Sequence, residues 1–250
     1  MVGRYELSDD QWEKIQDFLP GKQGDRGRTA VDNRRFVDGV LWILRSGAFW
    51  RDMPERYGNW KSAHKRFTRW TNSGVWERIF KTLLDDPKNE YLMLDSTIVR
   101  AHQQAATGKG ARSEALGRSR GGLSTKIHLS VDAEGKPLRF LLTGGHRHDA
   151  PQAPALLEGM QAEWVLADRA YDSQKIIDLI QKMGATPVIP SQSTRKRPRE
   201  YDPERYKARN VIERSINKLK ACRRIATRFD RKAAHYLAFL HLAAAVIWAT

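Results

Sequence analysis

Cysteine is almost absent: Cys222 is the only one in 250 residues. That excludes an intramolecular disulfide and a zinc centre built on cysteines, and it suits a reducing compartment. Acidic residues are also scarce, with 29 Asp and Glu against 44 Lys and Arg, so the formal charge is +15. An excess of that size points to a polyanionic partner, most simply DNA or RNA, rather than to an anionic membrane surface. Long apolar runs are missing too. The nearest approach is the stretch from Ala233 to Thr250, 18 residues without a charge, but it carries His235, Tyr236 and His241 and is rich in alanine. It reads as a helix packed against the core and not as a membrane span. The first residues, Met-Val-Gly-Arg-Tyr-Glu, lack a signal-peptide core, and a cytoplasmic location is expected.

What the chain does have is unevenly distributed. Six of its eight tryptophans fall between Trp12 and Trp76, enough aromatic bulk for a separate core near the front. Ser8 and Gln11 form a capping-box pattern ahead of an apolar stripe of Trp12, Ile15, Phe18 and Leu19. Further helical stripes are expected over 31–46, 60–70 and 75–84. On the third of these helices Lys61, Lys65, Arg66 and Arg69 fill the faces left by Trp60, Ala63, Phe67 and Trp70. Residues 1–88 therefore read as an all-α segment, either a helix-turn-helix-like DNA-binding domain or a bundle with a solvated basic face. Two glycine-containing basic stretches, Gly21–Arg28 and Lys109–Arg120, read as loops.

Beyond Pro87 the period changes. Tyr91–Leu94 is a short apolar run ending in Asp95, and Trp164–Ala167 is another, ending in Asp168. Leu123–Val131 and Leu138–Leu142, joined by the turn Asp132–Gly135, read as a hairpin with Ile127, Leu129 and Val131 on one side. Helices are expected near Pro151 and over 173–183, with a strand at 187–189 and a polar, basic loop over 191–203. Strands interleaved with helices over 89–250 make a mixed α/β sheet flanked by helices. From Arg195 to Lys232 there are 15 basic residues against 5 acidic ones.

Within that basic stretch Tyr206, Arg209, Glu213 and Lys220 are spaced by three, four and seven residues, which on one continuous helix places all four on a single face. A carboxylate among cations suits joint binding of a metal ion and phosphate. One carboxylate does not hold a catalytic Mg²⁺, so partners are needed. Asp95 and Asp168 supply them if their apolar runs are neighbouring central strands buried on both faces. Two ions about 3.5–4 Å apart can then clamp the attacking and leaving oxygens of a phosphoryl displacement. Taken singly, each of these residues has a plainer reading: a strand-ending Asp as a turn or cap residue, Glu213 as an ion-pair partner of Arg209 or Lys220. Asp149, in Gly144–Asp149 and two residues before Pro151, reads as a helix cap, with a role beside the metal ligands as the alternative for it and His148. Asp172 likewise reads as a cap.

Together, the segments Leu94-Asp95-Ser96-Thr97, Ala167-Asp168-Arg169-Ala170-Tyr171-Asp172 and Tyr206-x-x-Arg209-x-x-x-Glu213-x6-Lys220 resemble the three motifs of DDE transposases of bacterial insertion sequences, specifically the insertion-sequence-five family. The front segment, with Trp50-Arg51-Asp52-Met53-Pro54, resembles that family's N-terminal domain. The resemblance implies a ribonuclease-H-like catalytic domain over 89–250, with Asp95, Asp168 and Glu213 as ligands of Mg²⁺ or Mn²⁺, two ions per site. It implies that Arg209 and Lys220 hold DNA phosphates and that Tyr206 stacks on or hydrogen-bonds the strand. It further implies metal-dependent cleavage of transposon ends and transfer of their 3′-OH to target DNA. The expected partners are double-stranded DNA, as terminal inverted repeats and target, and further copies of the chain in a homodimer or higher oligomer, at the bacterial nucleoid. Two alternatives stay open: a metal-dependent nuclease that does not join, and a transposase-derived DNA-binding regulator.

Overall fold

The computed structural model describes all residues except 1–4, 23, 26–28, 85–87, 107–113 and 120. The loops expected over Gly21–Arg28 and Lys109–Arg120 lie partly outside the described residues. The chain forms two compact units: the first holds Met1–Leu84, His102–Thr107 and Leu219–Thr250, and the second Asp85–Ala101 and Gly108–Lys218. Packing thus divides the chain differently from a single cut at 88/89, because the carboxy-terminal stretch belongs with the front helices.

The first unit is helical. Its helices α1 (Asp9–Gln16), α2 (Asn33–Ser46), α3 (Trp60–Asn72) and α4 (Val75–Leu83) begin and end where the local chemistry dictates. Ser8 and Gln11 form the full capping box of α1, Asp32 and Asn59 cap α2 and α3, and Gly47 closes α2 at φ 71°, a left-handed conformation that favours glycine. The core is aromatic. Phe36, Phe67, Trp70 and Trp76 are buried, and Phe67 stacks on Phe239 with ring centroids 4.6 Å apart. Phe239 belongs to the helix Ala233–Ala249, which packs on α4 and touches α1, α2 and α3. No helix among the described residues is long and apolar enough to cross a membrane.

The second unit is a mixed sheet. Strand β1 spans Lys88–Ala101, β2 Gly117–Ser119, β3 Gly122–Val131, β4 Pro137–Gly144, β5 Gln161–Ala167 and β6 Thr186–Val188. The central order is β4-β3-β1-β5-β6, with β2 beside the start of β3. Strand β3 is antiparallel to both its neighbours, β1 and β4, whereas β5 and β6 run parallel to β1. This is the ribonuclease-H-like arrangement, a mixed α/β sheet flanked by helices. Two sequence expectations are corrected. β1 does not end at Asp95; it is 14 residues long and continues to Ala101, paired with β3. β3 is not buried on one side alone: from Ser124 to Val131 every residue is buried, including Lys126, His128 and Ser130. The helix Ala153–Leu157 packs on β3 and β4, which enforces burial of the polar positions.

A buried ion pair anchors the carboxy-terminal part of the first unit. Arg224 donates to Asp230 at 2.9 Å, and both side chains are 6% exposed. Removing one partner strands the other charge, so Asp230→Ala should cost about 3–5 kcal/mol. Urea unfolding is the check, and a loss below about 1 kcal/mol, the range of exposed pairs, would contradict the assignment.

Candidate active site

The site in the second unit is built by strand pairing. Parallel β1 and β5 pair up to Leu94↔Ala167, and Asp95 and Asp168 are the next residues on each strand. Beyond that point β1 continues while β5 turns into a 3-10 helix, Arg169–Tyr171, whose start Asp168 caps by accepting from the Ala170 N–H at 2.9 Å. The two aspartates therefore lie at one level on adjacent strands, Asp95 within β1 and Asp168 just past the end of β5.

The third carboxylate arrives on a helix. Tyr206 ends the short helix Pro203–Tyr206, Arg209 ends a 3-10 turn, and Glu213 and Lys220 lie on the helix Asn210–Lys220. The four residues thus do not share one uniform α-helix, because the tighter turn over 207–209 intervenes. Glu213 and Lys220 do share a face, and the i to i+4 reach from Arg209 to Glu213 is retained. The hairpin turn seats this helix: Gly135, at φ 81°, lies so close to Val211 that a Cβ there would meet Val211 Cγ1 at 2.9 Å.

Arg209 is the link. Its Nη2 donates to Asp95 Oδ2 at 2.6 Å and its Nη1 to Glu213 Oε1 at 2.8 Å. Asp95 Oδ1 accepts from the Ser96 N–H at 2.7 Å. Burial pushes the Asp95 carboxyl up to about 6, helped by the charges of Asp168 and Glu213 and opposed by Arg209. For Arg209, burial works against the charged form, but Asp95 and the neighbouring acids outweigh it, so its pKa is raised. Asp168 and Glu213 hence both act electrostatically on Asp95. The donor set is chemically right for a hard divalent cation, being carboxylate oxygen without thiolate or imidazole. Among the described residues, no three such side chains are already gathered as a metal site.

Other expected site residues are placed as follows. Tyr206 is half-buried, its ring edge-on to Tyr201 at 5.6 Å. Lys220 is half-buried, and burial lowers its pKa. In the first unit Lys61, Lys65 and Arg69 are exposed along α3 at i, i+4 and i+8. Arg66 is different: its guanidinium packs against the rings of both Phe36 and Trp70, at 4.3 and 4.5 Å from their centroids, and donates to Asn33. Desolvation lowers its pKa to about 10. Arg66 therefore ties α2 to α3 and, half-buried, differs from its exposed neighbours.

Asp149 does not cap a helix through its side chain. Its Oδ1 instead accepts from Ser96 Oγ at 2.8 Å and pairs with Lys126 Nζ at 2.9 Å, with His128 Nδ1 at 3.5 Å. His148 is exposed. Asp172 does not cap either. It accepts from Arg195, Arg199 and the Gln192 N–H, tying the 191–203 loop down four residues beyond Asp168. Burial alone would raise the Asp172 pKa; these donors more than offset it and lower it. Sequence reasoning missed Ser96, Lys126, His128 and the Asp172 clamp. The only signal was polar residues inside otherwise apolar strands.

A sheet of this order, with carboxylates on two parallel neighbours and a basic helix, defines the class as a ribonuclease-H-like phosphoryl-transfer domain. Residues 86–248 match the family model described as "Transposase DDE domain", and residues 7–80 match "Putative transposase of IS4/5 family". The chain belongs to the DDE transposases of insertion sequences, and it is a DNA transposase. Activity in this family depends on a divalent metal. The chain is 45% identical over 128 residues to "Uncharacterized protein y4sN" of Sinorhizobium fredii, covering 51% of this chain and 95% of that protein. It is 42% identical over 128 residues to "Putative transposase for insertion sequence element IS6501" of Brucella ovis, covering 50% of this chain and 98% of that one. Among solved structures, a piggyBac transposase synaptic complex with hairpin DNA overlaps 77% of this chain at 13% identity and TM-score 0.42, and the overlap spans 50% of that chain. That overlap is too loose to carry the fold, which rests on strand order.

Two predictions follow from the polar clusters. His128 is fully buried and desolvation lowers its pKa to about 4, so the folded state holds it neutral. Its contribution to stability is complete above about pH 6.5 and is lost as pH falls toward about 4. Urea midpoints at pH 7 and pH 5 should differ less for His128→Gln than for the wild type. Asp172→Asn should leave the fold intact and expose the 191–203 loop to limited trypsin digestion at Arg195–Arg199 several-fold faster. Unchanged cleavage kinetics would show that the clamp does not hold the loop.

Proposed function

We propose that Asp95, Asp168 and Glu213 hold divalent ions, Mg²⁺ or Mn²⁺ and two per site, at which transposon ends are cut and joined to target DNA. The observation that carries this reading is the bridge from Asp95 through Arg209 to Glu213, beside an Asp168 placed by the β1–β5 register. A bound divalent ion supplies Lewis-acid stabilisation of the phosphoryl group and an activated water. The chain's own residues position the strand. Arg209 offers a planar fork suited to two phosphate oxygens, and Lys220, two turns beyond Glu213 on the same helix, offers a point charge. Tyr206 packs against a base or sugar or donates to a phosphate. Asp149 supports the ligands through Ser96, the residue next to Asp95, and His148, exposed beside it in sequence, has the same supporting role.

The chemistry is two in-line displacements. Water attacks the phosphodiester at the transposon end and the 3′-oxygen leaves, taking a proton to become 3′-OH. That hydroxyl then attacks a target phosphodiester, giving up its proton as the target's own 3′-oxygen leaves and is protonated, so no protein–DNA covalent intermediate forms. In the helical segment 1–88, the exposed Lys61, Lys65 and Arg69 contact DNA phosphates, and 89–250 carries the catalytic function. Pairing two transposon ends calls for a homodimer or larger assembly on DNA, in the cytoplasm at the nucleoid.

End-labelled DNA carrying the terminal inverted repeat, incubated with Mg²⁺ and target DNA, is expected to yield joined product. Cleavage without joining would identify a nuclease, and binding without cleavage a regulator. Asp168→Ala should retain DNA binding and lose cleavage by well over ~100-fold, since even indirect partners of metal ligands cost about 10–100-fold. Full cleavage by that variant would remove Asp168 from the site.

A further inference from the structure

Arg209 is the cation that the carboxylates of the second unit already hold. Its two terminal nitrogens serve Asp95 Oδ2 and Glu213 Oε1, at 2.6 and 2.8 Å. A guanidinium spanning two carboxylates uses lone pairs that a divalent ion would need. On Asp95 both oxygens are engaged, Oδ1 by the Ser96 N–H and Oδ2 by Arg209, so a metal there must share or take an occupied oxygen, and the guanidinium carries the charge it would replace. The seat also satisfies Arg209 incompletely, because its Nε is buried with no hydrogen-bond partner. A donor left unpaired in a buried position lowers the cost of leaving. The Arg209 and Asp95 side chains are only 15% and 13% exposed, whereas that of Glu213 is 59% exposed, so the guanidinium is held at its inner end and open at its outer one.

We propose that Arg209 and the divalent ion compete for the same carboxylate oxygens. In the DNA-free protein Arg209 neutralises Asp95 and Glu213; the incoming ion displaces it, and the released guanidinium turns to the phosphate of the bound strand. This inference rests on the reading of Asp95, Asp168 and Glu213 as metal ligands. It gives Arg209 two successive partners and couples the two loading events, since metal entry frees the donor that seats the phosphate. It also opposes the usual expectation for a residue of an active site: removing Arg209 strengthens metal binding.

The test is calorimetric titration of Mn²⁺ into the full chain without DNA. Arg209→Gln removes the charge and is expected to bind Mn²⁺ at least tenfold more tightly than the wild type. Arg209→Lys keeps the charge but serves only one carboxylate at a time, so its affinity is expected to fall between the two. Weaker or unchanged binding by Arg209→Gln overturns the proposal. A tighter Gln variant with the Lys variant at wild-type strength also overturns it, because charge alone would then explain the gain. Asp168→Asn tests the underlying reading separately. If it keeps wild-type Mn²⁺ affinity, the ligand assignment fails; if it loses Mn²⁺ while both Arg209 variants match the wild type, competition alone is rejected.

Discussion

The parallel pairing of β1 with β5 is the constraint on which the site depends. It stops at Leu94↔Ala167, and each strand delivers an aspartate at its next position. A register shift by one residue would turn one of these side chains to the opposite face of the sheet. The register is held by apolar burial: Leu92, Met93 and Leu94 on β1, and Val165, Leu166 and Ala167 on β5, are all at 1% exposure or less. The polar chemistry at the strand ends is therefore positioned by hydrophobic packing behind it.

Around that register three acidic side chains each meet a cation. Asp95 meets Arg209, Asp149 meets Lys126 and Ser96, and Asp172 meets Arg195 and Arg199. Burial penalises Asp95 and Asp172, and their donors offset the penalty. The outcomes differ in a way that fits their places. Asp172, with two arginines and a backbone N–H, is pulled below the ordinary carboxylate range, as expected for a fixed tether. Asp95, with one guanidinium and two neighbouring acids, stays above it.

Much of this was legible in the amino-acid order because it is local. The capping box of α1, the glycine stop of α2, the aromatic stripe of α3, the 132–135 turn and the two apolar runs ending in aspartate all follow from side-chain spacing and backbone preference. So does the grouping of Tyr206, Arg209, Glu213 and Lys220, although the tighter turn over 207–209 breaks the single helix that their spacing suggested. The packing of Arg66 was not legible beside its exposed neighbours Lys61, Lys65 and Arg69, because helical spacing does not show which of several cations packs against aromatic rings. Asp149 and Asp172 were misread as caps because capping is a local explanation and their partners lie 20 or more residues away.

The sequence by itself determined the identity of the chemistry: three carboxylates, a basic helix, a cation-rich chain and strands apolar enough to be central. Only the tertiary structure decided which atoms meet. Residues more than a hundred positions apart, such as Asp95 and Arg209, are brought to 2.6 Å by strand register and by the seating of one helix on the Gly135 turn. Those are consequences of packing a whole domain, where burial on both faces of a sheet selects one register among several that local preference leaves equal.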